Sequence, residues 1–181
     1  MAGRIDQTRS FVPVRFAVLT VSDTRSAADD RSGDLLAERI SDAGHVLVDR
    51  AICRDERAGI AARLSGWIAD PGIDAVLSTG GTGLTGRDVT VEAHRDVYEK
   101  EIEAFATAFT LISMQKIGTS ALQSRACAGV AGGTYLFALP GSPSACRDAW
   151  DEVLAPQFDL RHRPCNFVEI MPRLEEHRRK G

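Results

Sequence analysis

Residues Leu77–Glu92, LSTGGTGLTGRDVTVE, run from a short apolar strand into a loop built almost wholly of Gly and Thr. A single acid, Asp88, follows, and a helix begins behind it. Such a loop offers backbone N–H groups and hydroxyls to an anion, because Gly lets the chain turn tightly and approach closely. The helix start behind it adds the positive end of a dipole. A carboxylate beside a phosphate-sized pocket would normally be repelled, and a Mg²⁺ ion bridging the two resolves that conflict. The stretch therefore reads as strand, phosphate-binding loop, helix, in a protein that handles a phosphorylated ligand. Gly81, Gly83 and Gly86 also spell GxGxxG, yet no strand ending in an acid follows about 20 residues on, where Glu101-Ile102-Glu103 lies in a helical pattern. No Gly-Lys-Ser or Gly-Lys-Thr follows a Gly-rich run, which excludes a Walker A loop.

Working outward, Arg15–Val21 (RFAVLTV) is a buried strand that ends at Ser22-Asp23-Thr24. Leu35, Leu36, Ala37, Ile40 and Ala43 share one helical face, closed by Gly44. Val46–Cys53 is a second strand, followed by Asp55. Ile60, Leu64, Trp67 and Ile68 mark a second helix, stopped by Asp70-Pro71-Gly72. Ile73–Ser78 is the strand that carries the Gly-rich loop. A helical stretch from Val89 to Gln115 breaks near Tyr98–Glu101. Its Ile102, Phe105, Phe109 and Ile112 repeat as a packing face. Arg125–Val130 and Thr134–Leu139 flank Gly132-Gly133 as a β-hairpin, and Pro140-Gly141-Ser142-Pro143 leads into a last helix with Ala145, Ala149, Val153 and Leu154 on one face.

Strands alternating with amphipathic helices predict a three-layer α-β-α fold with a mostly parallel sheet plus a hairpin. Ligands in such sheets bind outside the carboxyl ends of the strands. Ser22-Asp23-Thr24, Asp55 and the Gly-rich loop all follow strand ends, so they are expected on one rim. Asp55, Asp88, Ser22-Asp23 and Pro140-Gly141 each have a plainer role open to them, as helix caps or turn residues.

The length of 181 residues suits one domain over 1–181, with an ordered core at about 14–167 and short polar tails. A net charge of −3 gives nucleic-acid binding no electrostatic support. The basic run His177–Lys180 reads as a solvated terminus. The start MAGRIDQTRS lacks an apolar leader and no segment reaches membrane-spanning length, so a cytoplasmic protein without membrane or nucleic-acid partners is expected. Cys53, Cys127, Cys146 and Cys165 form no CxxC pair and read as buried thiols; the four histidines are equally dispersed.

Taken together, Val21-Ser22-Asp23, Arg54-Asp55-Glu56, Gly80–Asp88 with Val89-Thr90, Gln123-Ser124-Arg125 and Leu139–Ser142 resemble the MoaB/MogA family of molybdenum cofactor biosynthesis proteins. Ile117–Ser120, Leu122–Ala126 and Arg163–Phe167 look closest to its MoaB branch. The resemblance implies a molybdopterin site at the sheet rim, a trimeric or hexameric assembly, and work alongside other cofactor-assembly proteins. It further implies Mg²⁺- and ATP-dependent adenylylation of molybdopterin, with a non-catalytic molybdopterin carrier or scaffold as the alternative. Matched by position, Asp55 and Asp88 would be the catalytic and metal-binding acids. Gly80, Gly81, Thr82 and Gly83 would cradle phosphate, and Ser22, Asp23, Ser124, Pro140, Gly141 and Ser142 would line the rest of the rim. Two departures stand out: Val91 where many relatives have Pro, and Ala138 where some adenylylating relatives have Asn.

Overall fold

The computed structural model describes residues 3–178. In chain order the elements are β1 (Arg4–Ile5), β2 (Arg15–Val21), α1 (Arg31–Asp42), β3 (Val46–Cys53), α2 (Arg57–Ile68), β4 (Ala75–Thr79), α3 (Thr90–Val97), β5 (Lys100–Glu101), α4 (Glu103–Ile117), β6 (Cys127–Ala131), β7 (Thr134–Leu139), α5 (Pro143–Ala149), α6 (Ala155–Gln157), β8 (His162–Arg163) and α7 (Phe167–Ile170). A 3-10 helix spans Gly118–Gln123, and a π-helical turn at Trp150–Leu154 joins α5 to α6.

β2 alternates between two apolar faces, and both are buried. Phe16 and Val18 point to one core with Leu36, Ile40, Phe105, Phe109, Trp150 and Phe158. Ala17, Leu19 and Val21 point to the other, with Ile60, Leu64, Trp67 and Ala93. The period of two along the strand thus sorts α1, α4 and α5 onto one side of the sheet and α2 and α3 onto the other. The main sheet runs β3-β2-β4-β7-β6-β5. Its first four strands are parallel, in a register that sets Val18 beside Leu77 and Leu77 beside Phe137. β6 and β5 close the far edge antiparallel. The chain steps from β2 outward to β3, then crosses back to β4 on the other side of β2, so the strand order reverses between β2 and β4. At such a reversal the connections leave toward opposite faces and a crevice opens at the carboxyl ends.

The parallel strands, the hairpin and the main helices fall where the sequence places them. The break near Tyr98–Glu101 proves to be the edge strand β5, with Lys100 opposite Val130, so a strand ending in an acid does follow the Gly-rich loop, contrary to the helical reading of Glu101. It is a two-residue antiparallel edge and not the parallel strand a dinucleotide fold needs. Residues outside 14–167 also fold back: β1 pairs antiparallel with β8, and α7 continues to Ile170. Of the basic run His177–Lys180, residues 179 and 180 lie outside the described part. Phe105 and Phe109 pack in the core with Phe137, as a packing face should. Of the cysteines expected to be buried, Cys127 and Cys146 are, Cys53 at the end of edge strand β3 is half-buried, and Cys165 is exposed because it follows Pro164 in a surface loop with no strand or helix to bury it. No helix of the described residues is long and apolar enough to cross a membrane.

Two polar anchors sit inside this apolar frame. Asp30, fully buried, caps α1 through the Gly33 N–H (3.0 Å), accepts from the Thr20 hydroxyl (2.7 Å), and pairs with Arg50 at 2.7 Å. Burial opposes its charge, but the Arg50 and Thr20 hydrogen bonds hold its carboxyl below the ordinary value. His94, fully buried in α3, lies 2.8 Å from Ser78 Oγ and 3.0 Å from the Tyr98 hydroxyl. It ties α3 to the strand that carries the Gly-rich loop.

Burial pushes His94 down to about 3 and His45 down to about 4. Both are neutral in the folded chain but titrate near 6.5 once unfolded. Below that pH the unfolded chain binds more protons, so stability is complete above it and falls as acid is added toward the folded values. The loss should be roughly 1.4 kcal/mol per pH unit for each histidine. Urea melts between about pH 7.5 and 5 should show the midpoint falling; a flat profile across that window contradicts the burial of both rings.

Candidate functional site

The crevice at the β2/β4 reversal is a cleft of about 660 Å³ lined by Ser22, Thr24, Arg25, Arg31, Asp55, Gly80–Gly83, Arg87, Asp88, Ser124 and Pro140–Pro143. Its volume is in the range of small-molecule sites, about 300–1,000 Å³. A larger hollow of about 890 Å³ lies at the other end of the sheet, around Asp74, Gly132 and Gly133. The carboxyl-end cleft is the one that gathers the expected residues: Ser22, Asp55, Asp88, Gly80, Gly81, Thr82, Gly83, Ser124, Pro140, Gly141 and Ser142 all line it. Asp23 stands just behind, where its Oδ1 accepts the Asp55 N–H at 3.3 Å and its Oδ2 pairs with Arg87 at 2.6 Å.

The loop's shape follows from contacts that only glycine tolerates. Gly80 has φ +97°, and a Cβ there would sit 2.2 Å from the Val21 carbonyl oxygen. Gly81 has φ +62°, and a Cβ would sit 2.5 Å from both Asp55 Oδ1 and Thr90 Oγ1. The loop carbonyls are drawn away by internal donors. The Thr90 hydroxyl donates to Gly80 O (2.8 Å) and the Thr90 N–H to Gly81 O (2.9 Å). Arg125 donates from its N–H to Thr82 O (3.0 Å) and from Nε to Gly83 O (2.9 Å). The N–H groups of Gly81 and Thr82, by contrast, meet no acceptor among the described residues. Carbonyls engaged and amides left over is the polarity an anion needs.

The two acids differ. Asp88 is held below the ordinary value chiefly by the Thr85 hydroxyl, which donates at 2.6 Å to Oδ2, the same oxygen that takes the Thr85 N–H at 2.8 Å. Asp55 is raised, first by partial burial and then by the negative charge of Asp23. No side chain among the described residues donates to its carboxylate, which is steadied only by the Asp23 backbone, and Asp88 takes the Gly83 backbone besides Thr85. That donor set suits a hard divalent cation. Among the described residues no three His, Cys, Asp or Glu side chains converge to hold a metal. A cation here would take the rest of its shell from phosphates and water, as Mg²⁺ does.

The sequence reading missed the cleft's cations. Arg25 donates to Gly141 O at 3.0 Å, and Ser32 donates to the same oxygen at 2.8 Å. Arg31 and Arg87 are further lining groups. Their only sequence signal was their place in the segments between a strand end and the next helix. Ser142 caps α5 through the Ala145 N–H at 3.2 Å, so a capping role accompanies its place in the lining. Ala138 is buried beside Val91 and Cys127 and does not line the cleft. An Asn there would face an apolar pocket, and Val91 fills its helix position as core.

The sequence between residues 17 and 160 matches the family model described as a probable molybdopterin binding domain. The chain belongs to that family. Molybdenum cofactor biosynthesis protein B of Escherichia coli K12 is 50% identical over 157 residues, covering 87% of this chain and 92% of that protein. The Bacillus cereus protein of the same name is 39% identical over 146 residues, covering 80% and 86%. Among solved structures, a molybdenum cofactor biosynthesis protein B superposes with TM-score 0.84 at 35% identity, covering 93% of this chain and 99% of that one. The tungsten cofactor synthesizing protein MoaB from Pyrococcus furiosus gives TM-score 0.70 at 29% identity, covering 93% and 98%. Within this molybdopterin-binding domain, the dinucleotide reading of GxGxxG fails on its third glycine: a Cβ at Gly86 would meet nothing within 4 Å.

The same geometry separates the glycines by experiment. Gly80→Ala and Gly81→Ala should each lose about 1–3 kcal/mol of stability from backbone strain alone, with cleft binding reduced further by the added carbon. Gly86→Ala should stay within about 0.5 kcal/mol of wild type. Equal melts for Gly80→Ala and Gly86→Ala would show that the loop does not hold this conformation.

Proposed function

We propose that this chain acts in molybdenum cofactor biosynthesis as a cytoplasmic molybdopterin adenylyltransferase, joining AMP from ATP to molybdopterin with Mg²⁺ and releasing pyrophosphate. The observation that carries this reading is a single cleft holding unengaged loop amides, three arginines and two aspartates. Relatives at 50% identity named for molybdenum cofactor biosynthesis support the pathway, and the family's molybdopterin-binding description supports the substrate.

In this reading a terminal phosphate oxygen of molybdopterin attacks the α-phosphorus of ATP. The bond to the bridging oxygen breaks, and its electron pair leaves with pyrophosphate. Both reactants are anions, so the work is charge neutralisation and in-line placement rather than proton transfer. The phosphate nucleophile is already ionised near neutral pH, and no general base is needed. Gly81 and Thr82 would donate their amides to phosphate oxygens. Arg25, Arg31 and Arg87 would offset charge around the cleft, Arg87 giving up an exposed ion pair with Asp23 that is worth little. Asp55 and Asp88 would hold Mg²⁺, which supplies charge neutralisation between the reacting phosphates when bound. Ser22, Ser124, Pro140, Gly141 and Ser142 would shape the walls for the pterin and nucleotide.

The reading extends to assembly with copies of itself. Leu111, Met114, Ile117 and Leu122 are 59%, 42%, 56% and 66% exposed on α4 and the 3-10 helix behind it. A strip of this kind favours a closed assembly, and the family resemblance makes that a trimer or hexamer. Light scattering should give three or six times the chain mass; a monomer at working concentration would count against it.

Purified protein with molybdopterin and Mg-ATP should form adenylylated molybdopterin and pyrophosphate, separable by chromatography. Asp55→Asn and Asp88→Asn should each lower turnover by about a hundredfold or more. Saturable molybdopterin binding with no product would replace the transferase with a carrier, and full turnover in both variants would remove the acids from the mechanism.

A further inference from the structure

Arg125 is engaged more fully than any residue that lines the cleft. Its N–H and Nε reach Thr82 O (3.0 and 3.2 Å), Nε also reaches Gly83 O (2.9 Å), and Nη2 reaches Asp88 O (3.0 Å). The outer edge of the same guanidinium meets both carboxylate oxygens of Glu92 in α3, Nη2 at 3.1 Å from Oε2 and Nη1 on Oε1. Arg125 holds the Glu92 carboxyl below its ordinary value through this pair. One planar fork therefore spans the Gly-rich loop from Thr82 to Asp88 and locks it to the helix that follows. Arg125 itself does not line the cleft.

The consequence is directional. A loop carbonyl turned toward the cleft would repel phosphate, and each peptide that turns its carbonyl away presents the next amide instead. Arg125 draws the carbonyls of Thr82 and Gly83 to itself and fixes the backbone of Asp88. Lysine, a point donor on a flexible stem, cannot hold three carbonyls and a carboxylate in one plane. We propose that Arg125, clamped by Glu92, is a positioning residue that sets the polarity of the phosphate loop and the placement of Asp88 without touching substrate. The proposal rests on the cleft being the phosphate site.

The test follows backbone amide resonances during titration with inorganic pyrophosphate and MgCl₂, in wild type, Arg125→Lys, Glu92→Gln and the surface control Arg57→Gln. In wild type the Gly81 and Thr82 amides should shift saturably, and with them the Gly83 and Leu84 amides, whose peptides carry the two carbonyls that Arg125 holds. Arg125→Lys should weaken pyrophosphate binding roughly ten- to hundredfold, the scale of losing charge-assisted hydrogen bonds, and shrink the shifts at Gly83 and Leu84. Glu92→Gln, which keeps the arginine, should give a smaller loss in the same direction, and Arg57→Gln should match wild type. In the turnover assay Arg125→Lys should raise KM for ATP and lower kcat together, since both the loop and Asp88 move.

Arg125→Lys that binds pyrophosphate like wild type overturns the positioning role, as does a variant whose melting point falls while its folded fraction binds normally. Should Arg125→Lys fail to fold, Glu92→Gln decides by the same two readouts. Wild type with no shift at Gly81 or Thr82 overturns the phosphate site itself, and the positioning role with it.

Discussion

Everything at the rim depends on how closely three strand ends approach one another. Gly80 at the end of β4 lies against the Val21 carbonyl at the end of β2, 2.2 Å from where a Cβ would stand. Gly141, beyond β7, packs against the Gly80 backbone, with 3.1 Å from its Cβ position to the Gly80 Cα. Side chains at either position would wedge the strands apart and open the crevice into a flat surface. Because they are absent, the loops after β2, β4 and β7 share one wall. Thr79 then ties that wall together from below, its hydroxyl donating to Pro140 O at 2.9 Å.

From that contact the chemistry follows by polarity. Thr90 and Arg125 engage the loop carbonyls, the Gly81 and Thr82 amides are left over, and Asp55 and Asp88 stand beside them. An acid beside an anion site is unfavourable unless a cation joins them, and that conflict is what gives the site its chemical character. The raised Asp55 is its electrostatic trace, because partial burial and the Asp23 charge both disfavour its ionised form.

The sequence revealed most where burial is two-sided. β2, whose alternate residues feed two separate cores, had its bounds set by its own composition, and the helices around Leu36 and Leu64 by their apolar spacing. The rim residues were legible because parallel strands dictate which ends hold ligands. What stayed hidden had no periodicity to show. β1, β5 and β8 are two-residue strands whose pairing is settled by tertiary neighbours. The π-helical turn at Trp150–Leu154 keeps an apolar face and so reads as ordinary helix. Arg25 and Arg87 sit in polar loops and Arg31 opens α1 behind one, where an arginine in a cleft and one in open solvent have the same sequence neighbourhood. Arg125 was visible only as part of a matched segment, read there as the first residue of a strand that in fact begins at Cys127. Its many partners exist only in three dimensions.

The strand order also shapes how the chain comes into being. β4 is central in the finished sheet, yet it gains β2 as a neighbour as soon as residue 79 has emerged and lacks its second neighbour until β7, at Thr134–Leu139, has been made. Through that interval an edge that is fully buried in the finished fold stands unpaired on a growing polypeptide, the condition that favours pairing with a stranger. The last stitch, β1 to β8, waits for residue 163. Folding on the ribosome is therefore a race between synthesis of the hairpin and capture of β4 by another chain.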